Sequence, residues 1–340
     1  MKILIYSPNW IGDAVMALPM IRRTRKAFPG AEFTVFARDW VAPVCRFLGE
    51  VDLIVEFSRD EIKSFWSRRR IIKSLKQEDY DQVFLLPDSF STAMTMFRAR
   101  IPERIGYTGQ FRSWMLTRRY PLDIGRTMHR SDKYCHLLTG YADNVEMGSP
   151  PRFDGLEVGP VDLPDSWDKS AITIGINPHS VATSRRWPEE YWVQLFESFT
   201  NENIQFVIFG GVDARSIGDS IRSQTSAAVL NQAGKTTLKE SIRLMGECRI
   251  FISNDSGPMH IADAAGVPTI GLWGAGNTAK TGLRSEHSVN INADVYCSPC
   301  EKNHCINKEE PMLCMHSVTP DWVRDSAKDM LNSARPGGGV

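Results

Sequence analysis

The chain contains no run of about 18 apolar residues, so nothing in it reads as a membrane-spanning helix. It has no excess of either charge: 40 Lys and Arg stand against 40 Asp and Glu in 340 residues. That balance excludes a polybasic coat protein, and no nucleic-acid partner is expected. The opening Met1-Lys2-Ile3-Leu4-Ile5-Tyr6 lacks the apolar stretch and small-residue cleavage site of a secretory leader. It reads instead as a strand followed by polar residues, and a cytoplasmic location is the expectation. The apolar deficit that marks disorder is missing too, since 42% of residues are hydrophobic and 24% charged. At about 150 residues per domain, the length suggests two domains, each with enough apolar residues for a core. Cysteine is scarce and uneven: four of the seven fall between Cys297 and Cys314.

What is present is a repeated strand–helix alternation. Strands are expected over 2–6, 32–37, 53–57, 82–86 and 104–107, with helical periodicity over 14–28, 40–48, 68–77 and 91–98. Residues 148–168 then break the pattern with Pro150, Pro151, Pro160 and Pro164, and read as a linker. The alternation restarts with strands over 171–176, 204–209, 227–230, 250–253 and 268–273. Helices are expected over 189–201, 213–224, 238–246, 258–265 and 319–331. The expected fold class is α/β, with two Rossmann-like, doubly wound parallel domains over 1–160 and 161–335. Such sheets bind ligands outside the carboxyl ends of their strands, so a cleft between the two domains is the natural site.

Four loops sit where that rule directs attention. Ser7-Pro8-Asn9-Trp10-Ile11-Gly12-Asp13 follows the first strand and opens a helix. Asp13 there is either a helix cap or a carboxylate placed to take a proton from a substrate hydroxyl. Asn177 to Pro188 follows the first strand of the second half; its Ser180, Arg185 and Arg186 beside a helix start suit a phosphate, or form a solvated polar loop. Ser253-Asn254-Asp255-Ser256-Gly257-Pro258-Met259-His260 again joins a strand to a helix. Asp255 or Ser256 can cap it, Gly257 and the free N–H groups can hold a phosphate, and His260 is a ligand contact or a core histidine. In Phe209-Gly210-Gly211-Val212-Asp213, Asp213 is a ribose contact or another cap.

Two patterns point elsewhere. Gly274-Ala275-Gly276-Asn277-Thr278-Ala279 matches a dinucleotide fingerprint and keeps an NAD-dependent oxidoreductase open as an alternative, although 280–287 is too short and polar for a crossover helix. Asp79-Tyr80-Asp81 precedes its strand, the wrong end of the sheet for metal–nucleotide chemistry. Cys297, Cys300, Cys305 and Cys314 have the spacing of a closed structural site, with zinc the first expectation. A redox pair, an iron–sulfur cluster or reduced thiols packing a loop stay open, as does a zinc-stapled nucleotide-binding module without turnover. Arginines at 68–70, 98, 100, 104, 118 and 119 crowd the first half, as solvated faces or as a surface for a phosphorylated, membrane-embedded partner.

Taken in order, Asn9 through Pro19, Arg104-Ile105-Gly106-Tyr107, His129 through Tyr134, Arg185-Arg186-Trp187-Pro188, Gly210-Gly211 and Asn254 through His260 resemble the lipopolysaccharide heptosyltransferase family, glycosyltransferase family nine. The resemblance implies a GT-B fold whose N-terminal domain takes the acceptor and whose C-terminal domain takes an ADP-heptose donor. It implies an inverting transferase needing no cofactor for catalysis, with a lipid A–Kdo glycolipid as acceptor, at the cytoplasmic face of the inner membrane. Asp13 matches the family's catalytic base. Ser180, Arg185, Asp213, Asp255, Ser256, Gly257 and His260 match donor-binding positions, with Arg185 standing where the family usually has Lys.

Overall fold

The computed structural model describes residues 1–142, 145–153 and 163–333. The chain divides into two compact units, Met1–Gly155 and Leu156–Val340. Part of the expected linker lies outside the described residues.

The first unit is a six-stranded sheet of β1 (Lys2–Tyr6), β2 (Glu32–Arg38), β3 (Leu53–Phe57), β4 (Gln82–Leu85), β5 (Glu103–Tyr107) and β6 (Arg118–Tyr120), in the order β3-β2-β1-β4-β5-β6. Every pairing is parallel. Residues Ile3 to Tyr6 are buried on both sides, as a central parallel strand covered by helices requires. The connections carry α1 (Ile11–Ala27), α2 (Ala42–Cys45), α3 (Arg59–Lys63), α4 (Phe65–Gln77) and α5 (Phe90–Arg98); α6 (Leu122–Thr127) and α7 (Arg130–His136) follow β6, and α7 packs on α1.

Two expectations need correction here. The helix read over 40–48 shrinks to α2. Asp39 caps the Trp40 N–H at 2.9 Å and the Trp40 indole donates to the Asn9 carbonyl at 3.0 Å, so the segment enters as a side-chain-bonded turn. Strand β6 gave no apolar signal because it is a three-residue edge strand, Arg-Arg-Tyr, where charge and shortness are favoured.

The second unit repeats the design with β7 (Ile172–Asn177), β8 (Ile204–Ile208), β9 (Ala228–Asn231), β10 (Ile250–Asn254), β11 (Thr269–Trp273) and β12 (Val289–Asn292), in the order β12-β11-β10-β7-β8-β9. Its helices are α8 (Glu189–Glu197), α9 (Arg215–Ser223), α10 (Leu238–Gly246), α11 (Gly257–Ala264), α12 (Thr278–Thr281), α13 (Leu313–His316) and α14 (Pro320–Ser333). Helix α8 buries Trp192, Leu195 and Phe196, followed by Phe199 just beyond it, and Phe196 stacks on Phe206 of β8 at 4.2 Å. Burying each such side chain stabilises the unit by about 1.5–3 kcal/mol. Strand β12 was not foreseen, and the connection leading to it from β11 contains only the four-residue α12. The Gly274–Ala279 pattern therefore opens no crossover helix of the length a dinucleotide fold uses.

Both sheets share one strand order, read from opposite ends. In each, the order reverses beside the first strand: between β1 and β4, and between β7 and β10. Chains leaving those two pairs of strands diverge and open a crevice at the carboxyl edge, where ligands bind in folds of this kind.

Candidate functional site

The first switch point gathers charge. Asp13 is the third residue of α1, whose N-cap residue Trp10 makes no side-chain cap. The carboxylate instead meets Arg130 at the start of α7, Nε to Oδ1 3.3 Å. Just past β4, Asp88 accepts from the buried Lys133 of α7 and lies 3.3 Å from the fully buried Arg112 guanidinium. Arg112 also donates to the Tyr107 carbonyl at 2.8 Å and the Pro87 carbonyl at 2.5 Å. Burial pulls the Lys133 ammonium below its ordinary pKa, and Asp88 works in the opposite direction. The Tyr134 phenol is pushed well up, by burial first and then by the Asp13 charge. Three cations and two carboxylates thus share one edge, a surplus of positive charge beside Asp13. Arg130, Lys133, Asp88 and Arg112 escaped the reading of the sequence because their partners lie far off in the chain; the His129–Tyr134 stretch was the one signal pointing at them.

The second switch point is a polar knot between the loops after β7 and β10. The Asn177 amide donates to the His179 carbonyl at 2.9 Å, Ser253 Oγ at 3.1 Å and Ser256 Oγ at 2.7 Å. Asn254 accepts the Trp187 N–H at 3.1 Å and donates to the Pro178 carbonyl at 2.7 Å. Ser180 Oγ donates to the Asp255 carbonyl at 3.1 Å. Arg185 meets the buried Asp255 carboxylate at 2.9 Å, while its Nε is buried with no hydrogen-bond partner. Ser256 is the N-cap residue of α11 but turns its hydroxyl onto the Asn254 carbonyl rather than capping. The first N–H groups of α11, beginning at Gly257, keep their capacity for an anion. His260 is buried within α11.

Of the expected donor residues, Ser180, Arg185, Asp255, Ser256 and Gly257 come together in this knot. Asp213 sits on an exposed 3-10 turn after β8, where its charge reaches His179. Arg186 donates to the Ser180 carbonyl at 2.7 Å and contacts His179 Nε2 at 2.9 Å. Burial and the Arg186 charge lower the His179 pKa. Asn177 and Asn254, which organise the knot, were missed because asparagine at a strand end reads as an ordinary turn former.

Cys297, Cys300, Cys305 and Cys314 line one small cavity, with Ser184 and Met312 also in its wall. The Met312 N–H donates to the Cys305 sulfur at 3.2 Å. Burial raises the Cys314 pKa, helped by the other three thiols. Among the described residues no group of three or more His, Cys, Asp or Glu is arranged to hold a metal ion. The segment does grip the loop after β7: Ser184 Oγ donates to the Lys302 carbonyl at 2.5 Å and its N–H to the Asn303 carbonyl at 3.2 Å.

Two doubly wound parallel units, each with polar residues gathered at its switch point, define a protein of the two-Rossmann-unit, GT-B type. The family model for glycosyltransferase family 9 (heptosyltransferase) matches residues 68–310, and the chain belongs to that family. It is 29% identical over 290 residues to lipopolysaccharide heptosyltransferase 2 of Salmonella typhimurium, covering 81% of this chain and 83% of that relative. The Escherichia coli enzyme of the same name is 27% identical over the same shares. The solved structure of the E. coli ADP-heptose LPS heptosyltransferase II superposes with a TM-score of 0.80 at 25% identity, over 98% of this chain and 99% of that one. A family 9 glycosyltransferase from Veillonella parvula gives 0.85 at 21% identity, over 98% and 97%. The oxidoreductase reading and that of a binding module without turnover find no support in these relationships.

Proposed function

We propose that the chain moves a heptose from ADP-L-glycero-D-manno-heptose to the inner core of lipopolysaccharide, a Kdo or heptose hydroxyl on lipid A, with inversion. The first unit takes the acceptor and the second the donor. Asp13 accepts the proton of the acceptor hydroxyl as that oxygen bonds to the anomeric carbon and the bond from that carbon to the ADP oxygen breaks. Arg185, Ser180 and the first N–H groups of α11 meet the charge that develops on the departing ADP. With a guanidinium and a helix N-terminus on the diphosphate, the step needs no metal. Asp213 contacts the ribose, and Asp255, Ser256 and His260 shape the donor loop.

The observation that carries this reading is the pairing of Arg185 with its buried, unpartnered Nε and the start of α11, because a buried donor left unbonded costs about 1–3 kcal/mol until an anion takes it up. The test is a screen of nucleotide-sugars against lipid A–Kdo acceptors carrying zero or one heptose. Turnover with ADP-heptose alone is the expected result; none with any ADP-sugar overturns it.

Among the described residues no helix is long and apolar enough to cross a membrane. A cytoplasmic enzyme working at the inner-membrane face fits the lipid acceptor. The four thiols are assigned to a structural staple for the loop carrying Arg185, and zinc suits four thiolates. Metal analysis of the pure protein decides between one zinc per chain and a staple of hydrogen-bonded thiols.

A further inference from the structure

The residues among the clustered thiols bond to two loops at once. On one side the Ser184 N–H donates to the Asn303 carbonyl at 3.2 Å and the Ser184 hydroxyl to the Lys302 carbonyl, while Thr183 Oγ1 stands 3.0 Å from His304 Nδ1. On the other side the Glu301 N–H donates to the Ala275 carbonyl at 2.7 Å and the Ser298 hydroxyl to the Gly274 carbonyl at 2.6 Å. The Glu301 carboxylate also meets Lys280 of α12 at 2.6 Å. Residues 298–304 are thus a bridge between the loop after β7 and the loop after β11.

Both loops lead to one ion pair. Ser184 precedes Arg185, whose guanidinium lies 2.9 Å from Asp255 Oδ2. Ala275 precedes Gly276, which lies so close to the same oxygen that only a hydrogen fits in place of a side chain. A displacement of the bridge therefore reaches the arginine through Ser184 and the carboxylate through Gly276.

Thiols stand at the ends of the bridge. Cys297 and Cys300 flank its start, Cys305 follows its end, and with Cys314 they line one cavity of about 20 Å³, too small for an organic ligand. Every cysteine of the chain is a free thiol. Cys45, Cys135 and Cys248 are buried, and burial pushes the Cys45 thiol up to about 12, which leaves it unreactive. Cys297 and Cys300 are half-buried and three residues apart, the spacing of dithiols that interconvert with a disulfide.

We infer that Cys297 and Cys300 are a redox pair whose oxidation by hydrogen peroxide loosens the donor loops, so that nucleotide binding follows the state of the thiols. One sulfur takes a hydroxyl as the peroxide O–O bond breaks, giving a sulfenic acid and a first water. The second sulfur bonds to the first, and the hydroxyl leaves with the second thiol proton as another water. Two thiols are oxidised and one peroxide is reduced to two waters. The new bond draws the sulfurs to about 2.05 Å, and the shift passes from Cys300 to Glu301, Lys302 and Asn303, whose bonds to Ala275 and Ser184 lengthen. The effect on nucleotide binding rests on the donor site proposed above, while the movement of the bridge does not.

The experiment treats the reduced full chain with a small excess of hydrogen peroxide. It follows the free-thiol count, the disulfide by peptide mass, ADP affinity by calorimetry, and hydrogen exchange of the Ser184 and Glu301 amides, each of which donates across the bridge. The expected result is the loss of two thiols, a Cys297–Cys300 disulfide and faster exchange at both amides. ADP Kd should rise about tenfold, as for the loss of one hydrogen bond to a charged group, and dithiothreitol should reverse every change. In Cys300→Ser, ADP affinity should be the same before and after peroxide. A mapped disulfide with ADP affinity unchanged overturns the inference, as does a disulfide elsewhere, no disulfide, or a response that persists in Cys300→Ser. A reduced chain that binds no ADP, while both amides still quicken on oxidation, removes the donor-site reading and leaves the bridge standing.

Discussion

A carboxylate serves as a base only if it is aimed, and Asp13, the proposed base, has Arg130 at 3.3 Å to orient it. Replacing Asp13 by Ala is expected to cut transfer by about 10²–10⁴-fold, the range for a positioned general base, while ADP affinity stays put; equal loss of both would make Asp13 a structural residue only. Arg130→Ala tests the positioning role. Arg130→Ala should lower kcat with KM for the donor little changed, because the carboxylate loses its orienting partner, and Arg130→Lys should restore part of the loss. An unchanged kcat would leave Arg130 a packing residue. His179 offers a separate pH signature. Arg186 donates to its Nε2, which requires the neutral ring. Its pKa is lowered in the fold, so its stabilising contribution is complete above the ordinary imidazole value of about 6.5 and is lost as pH falls through the folded value. The wild type should therefore lose more Tm than His179→Gln between neutral and mildly acidic pH, and parallel losses would discard the argument.

Loops act here through what they lean on. The segment after β11, which as a sequence imitates a dinucleotide motif, places Gly276 against Asp255: a Cβ there would stand 2.0 Å from the carboxylate oxygen that holds Arg185. Gly276→Ala should accordingly displace Asp255 and weaken ADP binding about tenfold, with the circular-dichroism spectrum unchanged; an unaltered binding isotherm would separate Gly276 from the donor site. That contact shows what could be read in the chain and what could not. The strands of both sheets were legible because parallel strands covered on both faces are short apolar runs, as in Ile3–Tyr6 or Ile250–Ile252. The loops bearing Asp13, Ser180, Arg185 and Asp255 were legible because each lies between such a run and a helical period. Edge strands β6 and β12 were not, since an edge needs little apolar content. Lys133 and Arg112 were also hidden, because a cation in the sequence looks solvated until the fold buries it beside Asp88.

At the scale of the molecule, the same strand order occurs twice and the two switch points carry different chemistry: one a carboxylate among surplus cations, the other a knot of amides, hydroxyls and a guanidinium at a helix start. On the proposed reading the nucleotide site lies within the second unit, and two measurements test that. ADP at about a hundred times its Kd stabilises whatever binds it by about 2.7 kcal/mol, equivalent to a Tm increase of about 5–10 °C for a unit of this size. NAD at the same concentration should leave Tm where it was, because the loop after β11 opens no crossover helix to receive its pyrophosphate. Hydrogen exchange then locates the effect: ADP should slow the backbone amides of 178–186 and 256–260 and leave those around Asp13 unchanged. Protection by NAD in place of ADP would restore the oxidoreductase reading. Protection by ADP centred on Asp13 would reverse the roles of the two units, and the assignment of donor to the second and acceptor to the first would fall with it.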